Sequence, residues 1–515
     1  NELEKEIPFI KHNIELTRFG YGLNNVVEKP FEITTKQNLK ELYNTKNTMR
    51  NIRLWNEDTL KQTFKQLQEI RLYYEFKHVD VGVYNINGSK QQVMLSAREL
   101  DITQLSSKAK TWVNEHLIYT HGFGLCLSPV NQVSPEGLPY FFIKDLPPTK
   151  TDDLAITQPE IYFGEATDNY VITNTKQAEF NYPKGDKNEE THYHGKGGIQ
   201  LSSLFKRFIF SWHLSDSKLL FSSYITRNSK LMFERNIETI ARKITPFLTL
   251  DSDPYLVITK EGKLVWLIDA YTKSNRLPYS ESFNKHVNYI RNSVIISIDA
   301  YDGHINYYVK DTQDPIIQAL EKIFPGFFKP LDKLSTDLFE HLRYPRDLFH
   351  VQSKMFRTYH MKNPQLFYNR EDLWEIPKET YGESKQEMTP YYIVSQYPDE
   401  TEDSFSLVLP FTPAKKNNML AFFRAHFDPK TKLNLTIYTF PKERTIFGPL
   451  QIESRIDQDT EISQKLTLWG QKGSRVIRGN LMVIPFQNNL LYIEPIYLQA
   501  TQSELPEFKR IILAY

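Results

Sequence analysis

Residues 255–309 limit the possible folds more tightly than any other stretch of this chain. Two turn dipeptides, Glu261-Gly262 and Asp302-Gly303, each lie between a pair of short apolar runs. The first pair is Tyr255–Thr259 and Leu264–Asp269; the second is Val294–Asp299 and Ile305–Val309. Gly following an acidic residue supplies the positive φ that a tight hairpin turn needs. Two such hairpins in succession predict a four-stranded antiparallel meander. The tetrapeptide Ile-Asp-Ala-Tyr occurs at 268–271 and 298–301, but in the outgoing strand of one hairpin and the incoming strand of the other. With no third copy, a solenoid or propeller has no support.

Helical periodicity surrounds this β region. Leu3, Ile7, Ile10 and Ile14 predict a first helix, and Asn56 is placed to cap a second that carries Leu60, Phe64, Leu67 and Ile70. A third is predicted from Ser106 to Gly122, a fourth from Ser229 to Phe247, and others after Asp314-Pro315 and Pro345. Asn87-Gly88 predicts a hairpin within Val79–Leu95. Pro183–Gly198 reads as a turn-rich polar loop, and the last 125 or so residues are strand-rich. At 515 residues the chain is too long for one ordinary core, since cores stop growing near about 250–300 residues. Pro-containing linkers at 146–159 and 376–390 suggest three parts: an α+β domain at 1–150, a central α+β domain with the meander at 151–385, and a strand-rich domain at 386–515. The expected class is α+β, multidomain, with mainly antiparallel sheets and packed helices.

Composition narrows the function. Lys plus Arg number 63 against 62 acids, so the net charge of +1 lacks the basic excess of a nucleic-acid binder. Only 20 Gly accompany 30 Tyr and 33 Phe, which argues against Gly-rich nucleotide cradles and for broad β surfaces. The single cysteine, Cys126 between two leucines, excludes an internal disulfide and a Cys-based zinc site, and reads as a small buried residue. Nowhere do 18 apolar residues run together. The start at Asn1, with no Met, reads as a piece cut from a larger chain.

Four residues are candidates for ligand binding. Asp186, His192 and His194 lie close together in sequence, with a Gly-Lys-Gly-Gly after them, and could hold a divalent cation or an anion. The alternative is an ordinary solvated loop. Glu165 follows Tyr162-Phe163-Gly164 and could be half of a carboxylate pair in an aromatic cleft, although its partner among 62 acids cannot be chosen. His116 and His121 lack the four-residue spacing of a zincin; they read as a hydrogen-bonded core residue and a cation at a helix C-terminus. The Asp251/Asp253 and Asp311/Asp314 pairs lack the pattern of a calcium loop. No catalytic residue, metal or cofactor is assigned.

Several long strings resemble one family. They include NELEKEIPFIKHNIELTRFGYGL at 1–23, RNIRLW at 50–55, QVMLSARELD at 92–101, WVNEHLIYTHGFG at 112–124 and PEIYFGE at 159–165. Others are DPYLVI at 253–258, NYIRNSV at 288–294, FYNREDLW at 367–374, PFTP at 410–413, IRGNLMVIP at 477–485 and LYIEPIYLQA at 491–500. Together they are similar to uncharacterised protein family zero-one-eight-two, a set of bacterial membrane proteins, over essentially the whole chain. The resemblance implies several N-terminal transmembrane helices, absent from this chain, followed by a large hydrophilic region that this chain resembles. It also implies a place at the cell membrane, with this region on the extracytoplasmic side. No activity attaches to the family. The expected role is binding of a protein or envelope-polymer partner, with an aromatic groove or patch and no tight polar constellation. The alternative is an envelope hydrolase or transferase acting on a glycan or lipid-linked substrate. Nucleic acid is not an expected partner.

Overall fold

In a computed structural model the protein is α+β and multidomain, built mainly from antiparallel sheets with helices packed against them. The structure describes residues 2–33, 46–151, 153–382, 384–398, 400–471, 473–486 and 488–514. The meander forms in sequence order: Tyr255–Ile258, Leu264–Ser274, Tyr289–Asp299 and Ile305–Val309 pair antiparallel. Gly262 and Gly303 close its hairpins at φ of +79° and +69°. Its long strands are buried on both faces, and side-chain alternation sends Trp266 and Ile268 into one apolar cluster and Val265 and Leu267 into another.

Two further sheets flank the meander. Asp80–Ile86, Ser89–Ala97 and Leu125–Pro129 form an antiparallel ladder whose first turn uses Asn87 and Gly88, both at positive φ. Tyr391–Ser395, Ser404–Pro413, Ala421–Asp428 and Lys432–Thr439 form the main C-terminal sheet. Its outer strand is completed by Val27–Pro30, which pairs parallel with residues 436–439. The largest apolar cluster draws on Tyr21, Phe64, Cys126, Tyr271, Phe349, Phe423 and Tyr497, so all three expected spans contribute to one core.

Several local expectations change. The helix predicted for 106–122 is reduced to a π-helical turn at Asn114–Ile118, where the Tyr119 N–H donates to the Asn114 carbonyl at 2.8 Å. The helix predicted for 229–247 runs only over Ile237–Ile244, because Lys230–Met232 pairs with Val171–Thr173 as a strand. The Asn56 side chain does not cap its helix; its amide donates to Asn480 Oδ1 at 2.7 Å. Asp314 does cap, accepting from the Ile316 and Ile317 N–H groups at 3.1 and 3.2 Å. Much of the predicted polar loop is a hairpin, Glu179–Lys184 with Lys187–Thr191. Its tip lies in solvent, so no apolar alternation marks it in the sequence.

Candidate functional site

The strand Tyr255–Ile258 has one neighbour in its own sheet, and its other edge needs acceptors for outward N–H groups. Side chains supply them at every second residue. The Leu256 N–H donates to Asp80 Oδ2 at 2.8 Å, Ile258 to the Tyr84 hydroxyl at 3.0 Å, and Lys260 to Asp337 Oδ2 at 2.6 Å. Sealing an edge with side chains instead of another strand leaves room beside it. A cleft of about 860 Å³ opens there, between strand Asp80–Ile86, strand Tyr255–Ile258 and residues 339–343, 400–405 and 426–429. That volume is within the usual range of small-molecule sites, about 300–1,000 Å³.

The cleft wall contains three buried polar atoms without a partner among the described residues: Asp80 Oδ1, the Tyr255 hydroxyl and His426 Nδ1. Such atoms are rare, because an unmet buried polar group costs about 1–3 kcal/mol. Asp80 and Tyr255 are 3% and 4% exposed. Burial, reinforced by the Glu165 and Asp253 carboxylates, pushes the Asp80 carboxyl well above its usual range. Burial and nearby Arg424 push His426 down to about 4. Burial thus acts on both titratable side chains in the direction that favours the uncharged form. Arg343 completes it, with its guanidinium 3.9 Å from the Tyr255 ring centre and 4.9 Å from that of Tyr392, and ion-paired to Asp253 at 2.8 Å. Eight Asp and Glu residues border the cleft against two Lys and one Arg, so its field favours a neutral or cationic ligand over an anion.

Glu165 lies behind this wall and does not border the cleft. It is buried, with Oε1 2.9 Å from His78 Nδ1, and its pKa is pushed well up by burial and then by Glu99. Two acids are associated with it: Glu99 contacts its backbone, and its own charge contributes to raising Asp80. Glu99 accepts from the Glu165 and Ala166 N–H groups at 2.9 Å each and from the Thr167 hydroxyl at 3.0 Å. Gly164 makes this possible, since a Cβ there would overlap the Glu99 carboxylate. Gly164→Ala is expected to destabilise the chain by about 1–3 kcal/mol, read as a lower urea midpoint.

The other three candidates are not gathered with Glu165. Asp186 is in the exposed hairpin turn, and His192 and His194 are exposed, with the His194 N–H donating to the Tyr301 hydroxyl at 2.9 Å. Among the described residues no group of three or more His, Cys, Asp or Glu could hold a metal ion. His116 stacks on Tyr170 at 3.9 Å and meets its carbonyl at 2.7 Å. His121 is corrected from a helix-end cation to a buried neutral ring: burial pushes it down to about 4, and it bonds Thr120 and Asn181. Asp80, Tyr255 and His426 were not singled out in the sequence. The one available signal was an acid, Asp80, opening the strand Asp80–Ile86.

Comparison with known proteins agrees over the full length. The profile of the Uncharacterised protein family (UPF0182) matches residues 1–469. A UPF0182 protein of Desulforamulus reducens is 49% identical over 515 residues, covering all of this chain and 55% of that protein. UPF0182 proteins of Sulfurovum sp. and Trichodesmium erythraeum are 49% and 47% identical, again over the whole chain, which spans 56% and 58% of them. The chain thus spans a little over half the length of these relatives. No solved structure matches it. By length of match and identity, the chain belongs to uncharacterised protein family UPF0182.

Proposed function

We propose that this chain is the water-exposed, extracytoplasmic region of a bacterial membrane protein, and that it binds a segment of an envelope polymer in the acidic cleft. The observation that carries this reading is a cleft of about 860 Å³ bordered by Asp80, Tyr255 and His426, each with a buried polar atom that lacks a partner among the described residues. Aromatic rings beside hydrogen-bonding groups suit a sugar, whose faces are apolar and whose edges are hydroxyls. The acidic rim selects a neutral or amine-bearing one.

Calorimetric titration with acetylated and with deacetylated glucosamine oligomers tests the idea. Binding is expected, and Tyr255→Phe should weaken it by about tenfold, the worth of one hydrogen bond near 1.4 kcal/mol. Because the hydroxyl has no partner among the described residues, its removal breaks no hydrogen bond there and folding should be untouched. No heat with either oligomer, or equal affinity in the variant, would sink the reading. The second reading is an envelope glycosidase or transferase. It is favoured by Asp80, a cleft-bordering carboxyl whose pKa burial raises, the direction a general acid needs. New reducing ends during the titration, absent in Asp80→Asn, would select it. Protease access to this region in spheroplasts, but not through an intact cytoplasmic membrane from the other side, tests the location.

A further inference from the structure

The helix Leu204–His213 shows its apolar side to solvent. Ser203 starts it, accepting from the Lys206 N–H at 3.2 Å. Leu204, Phe205, Phe208, Ile209 and Trp212 are 70%, 71%, 50%, 43% and 79% exposed. At 3.6 residues per turn these positions form one stripe about 140° wide. The opposite side anchors the helix: Phe210 packs on Phe233, and the Arg207 guanidinium donates to the Leu219 and Ser222 carbonyls at 3.0 and 2.9 Å. Phe221 on the adjoining short helix is also 79% exposed. A helix anchored on one side by Phe210 and Arg207, with a continuous apolar stripe outward on the other, is built to be covered.

The charge around it identifies what covers it. Residues 191–233 contain six Lys and Arg but one acid, Asp216, in a chain whose net charge is +1. That acid is already engaged, accepting from the Tyr170 hydroxyl at 2.6 Å and from Trp112 Nε1 at 2.9 Å. An apolar stripe of Leu, Ile, Phe and Trp beside an excess of cations is the pattern of a helix lying in a lipid interface. A second copy of the same face would oppose like charges. We propose that the Leu204–His213 helix lies in the surface of an anionic bilayer, with its stripe at the acyl boundary and Lys206 and Lys218 toward the headgroups. This inference is independent of the cleft.

The test is co-sedimentation of the purified chain with phosphatidylcholine vesicles and with vesicles that also contain phosphatidylglycerol. Pelleting is expected with the anionic vesicles and should weaken as salt rises. The triple variant Phe205→Ser, Phe208→Ser, Trp212→Ser should stay in the supernatant. Its circular dichroism should match the wild type, since the replaced side chains are exposed. Lys206→Glu with Lys218→Glu should lower affinity for the anionic vesicles by about tenfold or more, each cation near the surface being worth about 1 kcal/mol. Undiminished pelleting of the triple variant, or none by the wild type, overturns the proposal. So does a concentration-dependent dimer that the triple variant loses while wild type ignores vesicles, which would assign the face to a second copy.

Discussion

Arg343→Met is expected to destabilise the chain by about 2–4 kcal/mol, from the weakened pairing of a half-buried carboxylate and the loss of hydrogen bonds to two backbone carbonyls. Arg343 is 3% exposed, and its guanidinium donates to the Val81 carbonyl at 2.8 Å and to the Asp253 carbonyl at 3.2 Å. Its side chain pairs with Asp253 Oδ2 at 2.8 Å. Met fills similar volume but leaves Asp253 with only the Arg346 Nε, at 3.4 Å, on that oxygen. It also leaves the Val81 carbonyl, in the first ladder, without its donor. The charges continue outward as a row, since Arg346 donates to Glu57 at 2.9 Å and Glu57 lies 3.9 Å from Arg53. Equilibrium urea unfolding reads the effect as a lower midpoint at constant slope. A midpoint within error of wild type would mean that Arg346 and solvent suffice to hold Asp253 in the folded protein. The double variant Arg343→Met, Asp253→Asn should recover part of the loss, because it removes the stranded charge as well.

Asp80→Asn is expected to stabilise the chain at pH 8 and to change little at pH 4, read as a urea midpoint raised only at the higher pH. The folded-state carboxyl sits well above its ordinary value, so the folded protein binds more protons than the unfolded chain. That contribution is fully present below the unfolded value near about 4 and is lost as pH rises toward the folded value, at about 1.4 kcal/mol per pH unit. Asn removes the titration but can still accept the Leu256 N–H that Asp80 accepts at 2.8 Å. The comparison must be wild type against variant at each pH. His121 and His426, both pushed down to about 4, titrate in the opposite sense: unfolding takes up protons there, so their contribution is lost as pH falls below about 6.5. Parallel stability–pH curves for the two proteins would show that Asp80 is ionised in the folded state.

The turns and the Asp314 cap were readable from local chemistry, whereas the Asn56 side chain turns to Asn480 instead. Glu261-Gly262, Asp302-Gly303 and Asn87-Gly88 name their own hairpins, because positive φ is tolerated by few residues. Asp314-Pro315 likewise names a helix start. Elements whose pattern depends on distant partners were misread. Lys230–Met232 looks helical in isolation and becomes a strand only because Val171–Thr173 is there to pair with it. Glu165 could be singled out by its aromatic setting, but not Glu99 or Asp80, since nothing local says which acids meet across a fold.

The α+β class, the four-stranded meander, the exclusion of an internal disulfide and the family were all legible in the amino acids, since each rests on local backbone chemistry, composition or long identical strings. The tertiary structure alone decided that Val27–Pro30 completes a sheet at the other end of the chain. It also decided that His121 is neutral, and that Asp80, Tyr255 and His426 face one cleft. Only it could show that the apolar stripe at 204–212 faces solvent. The physical reason is common to all four. Burial and the charge it permits are properties of what surrounds a residue, and in a folded chain most of those surroundings come from far along the sequence.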